Sequence, residues 1–112
     1  MSAQTLADLS APLVALRLLS TECGHLPAPS VAVSTVYPDQ LTLSFYDGHA
    51  DFEAWREALA VPPDDVVHRV QGDGQTGVLD VHVAFAGARL RLISYADIPV
   101  SVAARALSEV GR

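Results

Sequence analysis

The stretch Val78 to Tyr95, VLDVHVAFAGARLRLISY, constrains the fold more than any other part of the chain. Leu79, Val81, Val83 and Phe85 alternate with Asp80, His82 and Ala84, and after Ala86-Gly87 the pattern resumes with Leu90 and Leu92 against Arg89 and Arg91. A two-residue period marks a strand with one buried face, and two such runs around a short break make a β-hairpin. With Ala86-Gly87 as a two-residue turn, Val83 faces Leu90 and Val81 faces Leu92 on the apolar side, while His82 faces Arg91 on the polar side. This register defines a core face and leaves a second face to be explained.

The remainder of the chain must cover that core face. Its 112 residues, half of them apolar, are enough for one domain, 1–112, with a core that needs neither disulfide nor metal. The longest apolar run falls well short of the roughly 18 to 20 residues of a membrane span, and the first residues lack the basic start and apolar centre of a signal peptide. The expectation is a cytoplasmic protein with no membrane partner. Cys23 is the single cysteine, which permits no internal disulfide.

Leu6, Leu9, Leu13 and Leu16 recur at helical spacing and predict a first helix with one leucine stripe, reaching about Glu22. Thr5 with Asp8 reads as a capping box, and Ser10 before Pro12 as a rival start. Gly24 suits a left-handed stop, after which His25 to Pro29 is a stiff connector. Ser30 to Asp47 predicts a first hairpin. For Leu41, Leu43 and Phe45 to share a face with Val31 and Val33, its loop must have an odd length, three or five residues, around Tyr37 to Gln40. A second helix spans Ala50 to Ala60 with Phe52, Trp55 and Leu59 inward, and Pro62-Pro63 ends it. A third strand, Val66 to Val70, precedes a glycine loop and the main hairpin. Asp97 caps a last helix from Pro99, with Val100, Ala103, Leu107 and Val110 inward. The order α-ββ-α-βββ-α predicts an α+β fold, an antiparallel sheet of four or five strands with helices on one face.

Few motifs in the chain carry chemistry. Gly72 to Gly77 matches G-x-G-x-x-G letter for letter, but a dinucleotide fingerprint needs a helix after its third glycine, and here a strand begins at Val78. The loop is read as a hairpin connection, with no cofactor. Cys23, His25, His49, His68 and His82 lack the paired spacing of a zinc site, so no metal is expected. His82, Asp80 and Arg91 should cluster on the second face of the main hairpin. They read first as a cross-strand charge cluster, and alternatively as a general base, His82, oriented by Asp80 beside Arg91. With a formal charge of -6, the chain lacks the basic surface that binds nucleic acid.

All basic residues are arginine, and neither lysine nor asparagine occurs, which points to a GC-rich genome. The segments His25 to Val31 and Phe52 to Leu59 are similar to parts of small uncharacterised proteins of actinobacteria and their phages or mobile elements. The resemblance covers about half the chain and implies origin alone.

The second face then carries the functional expectation. Val36, Tyr46, Ala84, Ile93 and Tyr95 alternate outward, among Ser34, Thr42, Ser44, His82, Arg89 and Arg91. Aromatics and arginine are enriched at protein contacts and lysine is depleted. The sequence therefore predicts a non-catalytic interaction protein that meets itself as a homodimer, or another protein, through Val36, Tyr46, Arg89, Arg91, Ile93 and Tyr95. The alternative is a small ligand-binding protein or enzyme using His82 with Asp80 and Arg91.

Overall fold

The computed structural model describes residues 3–72 and 74–97. Its elements are α1 (Ser10–Glu22), β1 (Ser30–Val33), β2 (Gln40–Phe45), α2 (Ala50–Ala58), β3 (Val67–Val70), β4 (Thr76–Phe85) and β5 (Ala88–Asp97), with 3-10 turns at Leu6–Leu9 and Pro63–Asp65. The alternating stretch becomes β4 and β5. Their turn holds Ala86 at φ 51° and Gly87 at φ 82°, the pair of left-handed residues that lets a two-residue loop follow the twist of its strands. Val83 pairs with Leu90, Val81 with Leu92 and His82 with Arg91, the register that the alternation requires.

In the first hairpin Val31 pairs with Leu43 and Val33 with Leu41. An odd number of residues, 34 to 40, separates the paired Val33 and Leu41, so the two apolar sets share a face; the last of them, Gln40, already opens β2, and the span is longer than expected. Polar side chains and turns replace the strand ladder there: Val36 N–H donates to Ser34 Oγ at 3.1 Å and Gln40 N–H to the Tyr37 carbonyl at 3.0 Å.

The sheet runs β1-β2-β5-β4-β3 and is mixed, which corrects the expectation of a purely antiparallel one. β2 and β5 are parallel, pairing Leu41 with Leu90 and Leu43 with Leu92. Alternation has the same period in parallel and antiparallel strands, so it shows which residues share a face but not which strands are neighbours. The long connection through α2 and the β3–β4 hairpin allows a parallel pair. That arrangement joins the two leucine-rich strands at the centre of the core.

Helix α1 packs on this face, but not by the expected stripe. Ala15 and Leu19 are buried, with Ala11, Leu16 and Cys23 packed beside them, whereas Leu6 is 73% exposed and Leu13 37%. Both predicted starts are used in succession. Asp8 Oδ2 accepts from Thr5 N–H at 2.8 Å to open the 3-10 turn, and the α-helix begins at Ser10 with Pro12 in its first turn. A 3-10 turn has three residues per turn, so Leu6 and Leu9 lose phase with the α-helix that follows. The face bearing Ala11 and Ala15 then faces inward, since small side chains let the helix approach the sheet closely. Gly24 allows close approach rather than a left-handed stop, because a Cβ there would lie 2.7 Å from the Ser20 carbonyl oxygen.

α2 buries Phe52 and Trp55. The Phe45 ring meets both, at centroid distances of 6.4 Å, edge-on to Phe52, and the Trp55 indole N–H donates to the Pro27 carbonyl at 2.7 Å. The helix stops before the prolines: Ala60 turns left-handed at φ 56°, and Val61 N–H closes the end on the Arg56 carbonyl at 3.1 Å. The helix expected from Pro99 lies outside the described residues. Among the described residues no helix is long and apolar enough to cross a membrane.

Candidate functional site: the second face of the sheet

At the middle of the face turned away from the helices sits Asp80, only 7% exposed. The alternation of β4 sends it there, diagonal to Arg91 on β5 and beside Arg69 on β3. Arg91 grips its carboxylate with both arms, Nε to Oδ1 at 3.0 Å and Nη2 to Oδ2 at 2.7 Å, and Arg69 Nη1 adds a bond to Oδ2 at 3.2 Å. Burial by itself raises the pKa of Asp80, but the hydrogen bonds and charges of Arg91 and Arg69 outweigh it and hold the group below the usual carboxylate range. The acid at the centre of the cluster is thus buried while its arginines stay partly open to water, with Val78 and Ile93 buried next to it on the same face. Arg69 was missed in the sequence because β3 is short and exposed throughout, and only the strand order brings it to Asp80.

His82 lies across from Arg91 but makes no side-chain hydrogen bond among the described residues, and Asp80 does not orient it. Burial, then the positive charge of Arg89, lowers its pKa, with Asp80 opposing and Arg91 adding to the effect. The imidazole is therefore neutral near pH 7. The geometry does not build the general base with its orienting acid that catalysis would need.

At one end of the face Tyr46 and Tyr95 stack with ring centroids 5.4 Å apart and planes 5° from parallel. Tyr46 follows the end of β2 and Tyr95 lies near the end of the parallel strand β5, so the two rings meet by register. Tyr46 remains 63% exposed, whereas Ile93 is 3% exposed.

At the other end, where β2 and β5 begin, the 34–39 loop rises beside the β4–β5 turn. Arg89 N–H donates to the Asp39 carbonyl at 2.8 Å, which ties the loop to β5. Between them lies a cleft of about 760 Å³, lined among others by Val36, Tyr37, Gln40, His82, Ala84 and Arg89. Tyr37 and Gln40 escaped the sequence reading as site residues because they sit in the turn; the unexpected length of that loop is what makes them a wall.

A second histidine contact lies on the core side. Ser94, fully buried, donates from Oγ to the Gly48 carbonyl at 3.1 Å, so His49 Nδ1, 2.7 Å away, must carry the proton it shares with Ser94. This is the reverse of a nucleophile with its base, in which the serine proton points to the imidazole. The contact anchors the start of α2. Burial, followed by the charge of His68, lowers the pKa of His49.

The glycine loop connects β3 and β4 as a hairpin, with Gln71 N–H to the Thr76 carbonyl at 2.9 Å and a strand, not a helix, after it. Cys23 caps α1, and burial, then Glu22, raises its pKa, the opposite of a reactive or metal-binding thiol. Among the described residues no three of His, Cys, Asp and Glu come together as a metal would require. No family model and no curated protein matches the sequence.

Proposed function

We propose that the protein is a non-catalytic interaction protein, acting in the cytoplasm, that pairs with a second copy of itself through the face of the sheet opposite the helices. The observation that carries this reading is the Tyr46–Tyr95 stack, in which Tyr46 is exposed and Tyr95 half-buried. Stacked rings give a rigid, largely apolar surface whose hydroxyls still find partners at a wet rim, the composition that recurs at protein contacts. Ser30, Ala32, Thr42 and Ser44 lie on the same face of β1 and β2 and bring no charge to it. Arg91 already gives two hydrogen bonds to Asp80, so part of its hydration is replaced before any contact forms. Ile93, being buried in the chain, supports the face from below, while Val36 and Arg89 lie toward its far rim. Light scattering after size exclusion at tens of micromolar should give a dimer, and Tyr46→Glu combined with Tyr95→Glu should give a folded monomer. A wild-type monomer would refute the reading, and a dimer that survives the double change would move the contact elsewhere.

The second reading, a ligand-binding role for His82, has a separate observation in its favour: His82 lines the cleft at the opposite end of the face. It supports binding there, not catalysis, since Asp80 is committed to its two arginines.

A further inference from the structure

We infer that the cleft between the 34–39 loop and the β4–β5 turn is a binding site for a small organic monocarboxylate with a flat apolar body, its carboxylate held by the guanidinium of Arg89. The inference rests on the ligand-binding reading of the cleft and is independent of self-association.

Three observations lead to it. First, the guanidinium of Arg89 has no ion pair among the described residues, whereas Arg56, Arg69 and Arg91 are each held by carboxylates. A guanidinium presents its N–H groups in a planar fork that matches a carboxylate with two parallel bonds. Secondly, Arg89 is the cation of the cleft floor that is not already matched: it is the first charge that favours the neutral form of His82, whereas Arg91 and Asp80 act on the ring in opposite senses and are bound to each other. Asp39 in the loop wall forms no ion pair with Arg89. Thirdly, much of the lining is apolar: Val36, 72% exposed, and Tyr37, 63% exposed, join Ala84 and the edge of Val83 around the cleft. A pocket of about 300 to 1,000 Å³ with apolar walls and a few polar groups is the usual form of a small-molecule site.

The charge count selects the class of ligand. Arg89 and Asp39 are the two charged side chains of the lining, so a ligand meets one cation and one carboxylate: a singly charged carboxylate matches the guanidinium fork, and a more highly charged anion would face Asp39 with no second cation to hold it. A phosphate dianion is ordinarily held by further cations or by a nest of backbone N–H groups, and the cleft supplies neither.

The test uses phenylacetate as the probe, with 2-phenylethanol and inorganic phosphate as controls, followed by amide and imidazole NMR of the whole protein. Phenylacetate should shift, saturably, the resonances of Tyr37, Gln40, His82 and Arg89. The same titration should raise the pKa of His82, because a carboxylate now faces it along with Arg89, Arg91, Asp80, Asp39 and Tyr37. Arg89→Gln, an exposed change that should leave the dispersed spectrum intact, should weaken binding at least tenfold. The response should persist in Tyr46→Glu with Tyr95→Glu, so that a failure of dimerisation does not count against the cleft. The proposal is overturned by an absent response, by an equal response to phenylethanol or phosphate, by shifts that do not saturate, or by binding that Arg89→Gln leaves unchanged.

Discussion

Asp80 shows at the scale of one residue how a strand's polar face becomes part of the fold. An acid this buried is tolerated because three hydrogen bonds from two arginines compensate its lost hydration. Its partners are unequal, since the Arg91 side chain is 30% exposed and that of Arg69 47%. Arg69 therefore competes with water and adds less than Arg91. Asp80→Asn keeps the shape but removes the charge, and it should cost about 1.5 to 3 kcal/mol, the range for hydrogen bonds to charged groups. Arg69→Gln should cost less than 1 kcal/mol, the ordinary worth of an exposed pair. Urea unfolding of both variants checks the ranking, and equal losses would show that the Arg69 bond carries most of what the Asp80 charge contributes.

Among the elements, α2 holds the sheet through its aromatic side chains. Its short helix buries Phe52 and Trp55 against Phe45, is fixed at its start by His49 on Ser94 and at its end by the left-handed Ala60. Trp55→Ala should cost about 3 to 5 kcal/mol, a large share of a small domain's stability. Trp55→Phe retains most of the apolar contact but leaves the Pro27 carbonyl without its indole donor, and should cost about 1 to 2 kcal/mol more than repacking alone. Thermal melts distinguish the two: an alanine variant melting within a few degrees of wild type would mean that this packing contributes little.

For the whole molecule, the shifted groups that titrate below pH 7 act in one direction. Unfolded, His49 takes up a proton near its ordinary value of 6.5, but in the folded chain burial lowers its pKa, and that of His82 is lowered too. Between the folded value and 6.5 the unfolded chain binds more protons, so this stability is complete above pH 6.5 and is lost as the pH falls through the folded value. Asp80, held below its ordinary 3.8, adds a second loss at more acid pH as it protonates. The urea midpoint should therefore be level from pH 8 to 7, decline below 6.5, and fall again below about 4. His49→Gln should flatten the first decline and leave the second. A midpoint that rises on acidification would contradict these shifts.

Local order was legible in the chain because it is written in periodicity and turn chemistry. The two-residue alternation of β4 and β5 determined their register, and with it the placement of His82 opposite Arg91 and Asp80 diagonal to it. Parity alone determined that the first connection is odd. Neighbour relations were not legible, since alternation is the same beside a parallel or an antiparallel partner; only the tertiary structure set β2 beside β5 and Arg69 beside Asp80. The leucines of α1 surround the helix too fully for periodicity to choose a face, and the choice fell to the small side chains that let it lie close to the sheet. The cleft, likewise, exists because the end of a loop in sequence comes to stand beside the turn of a distant hairpin. Sequence determines what each segment can bury, but which segments meet depends on how all the apolar faces are covered at once, and that is a property of the assembled chain.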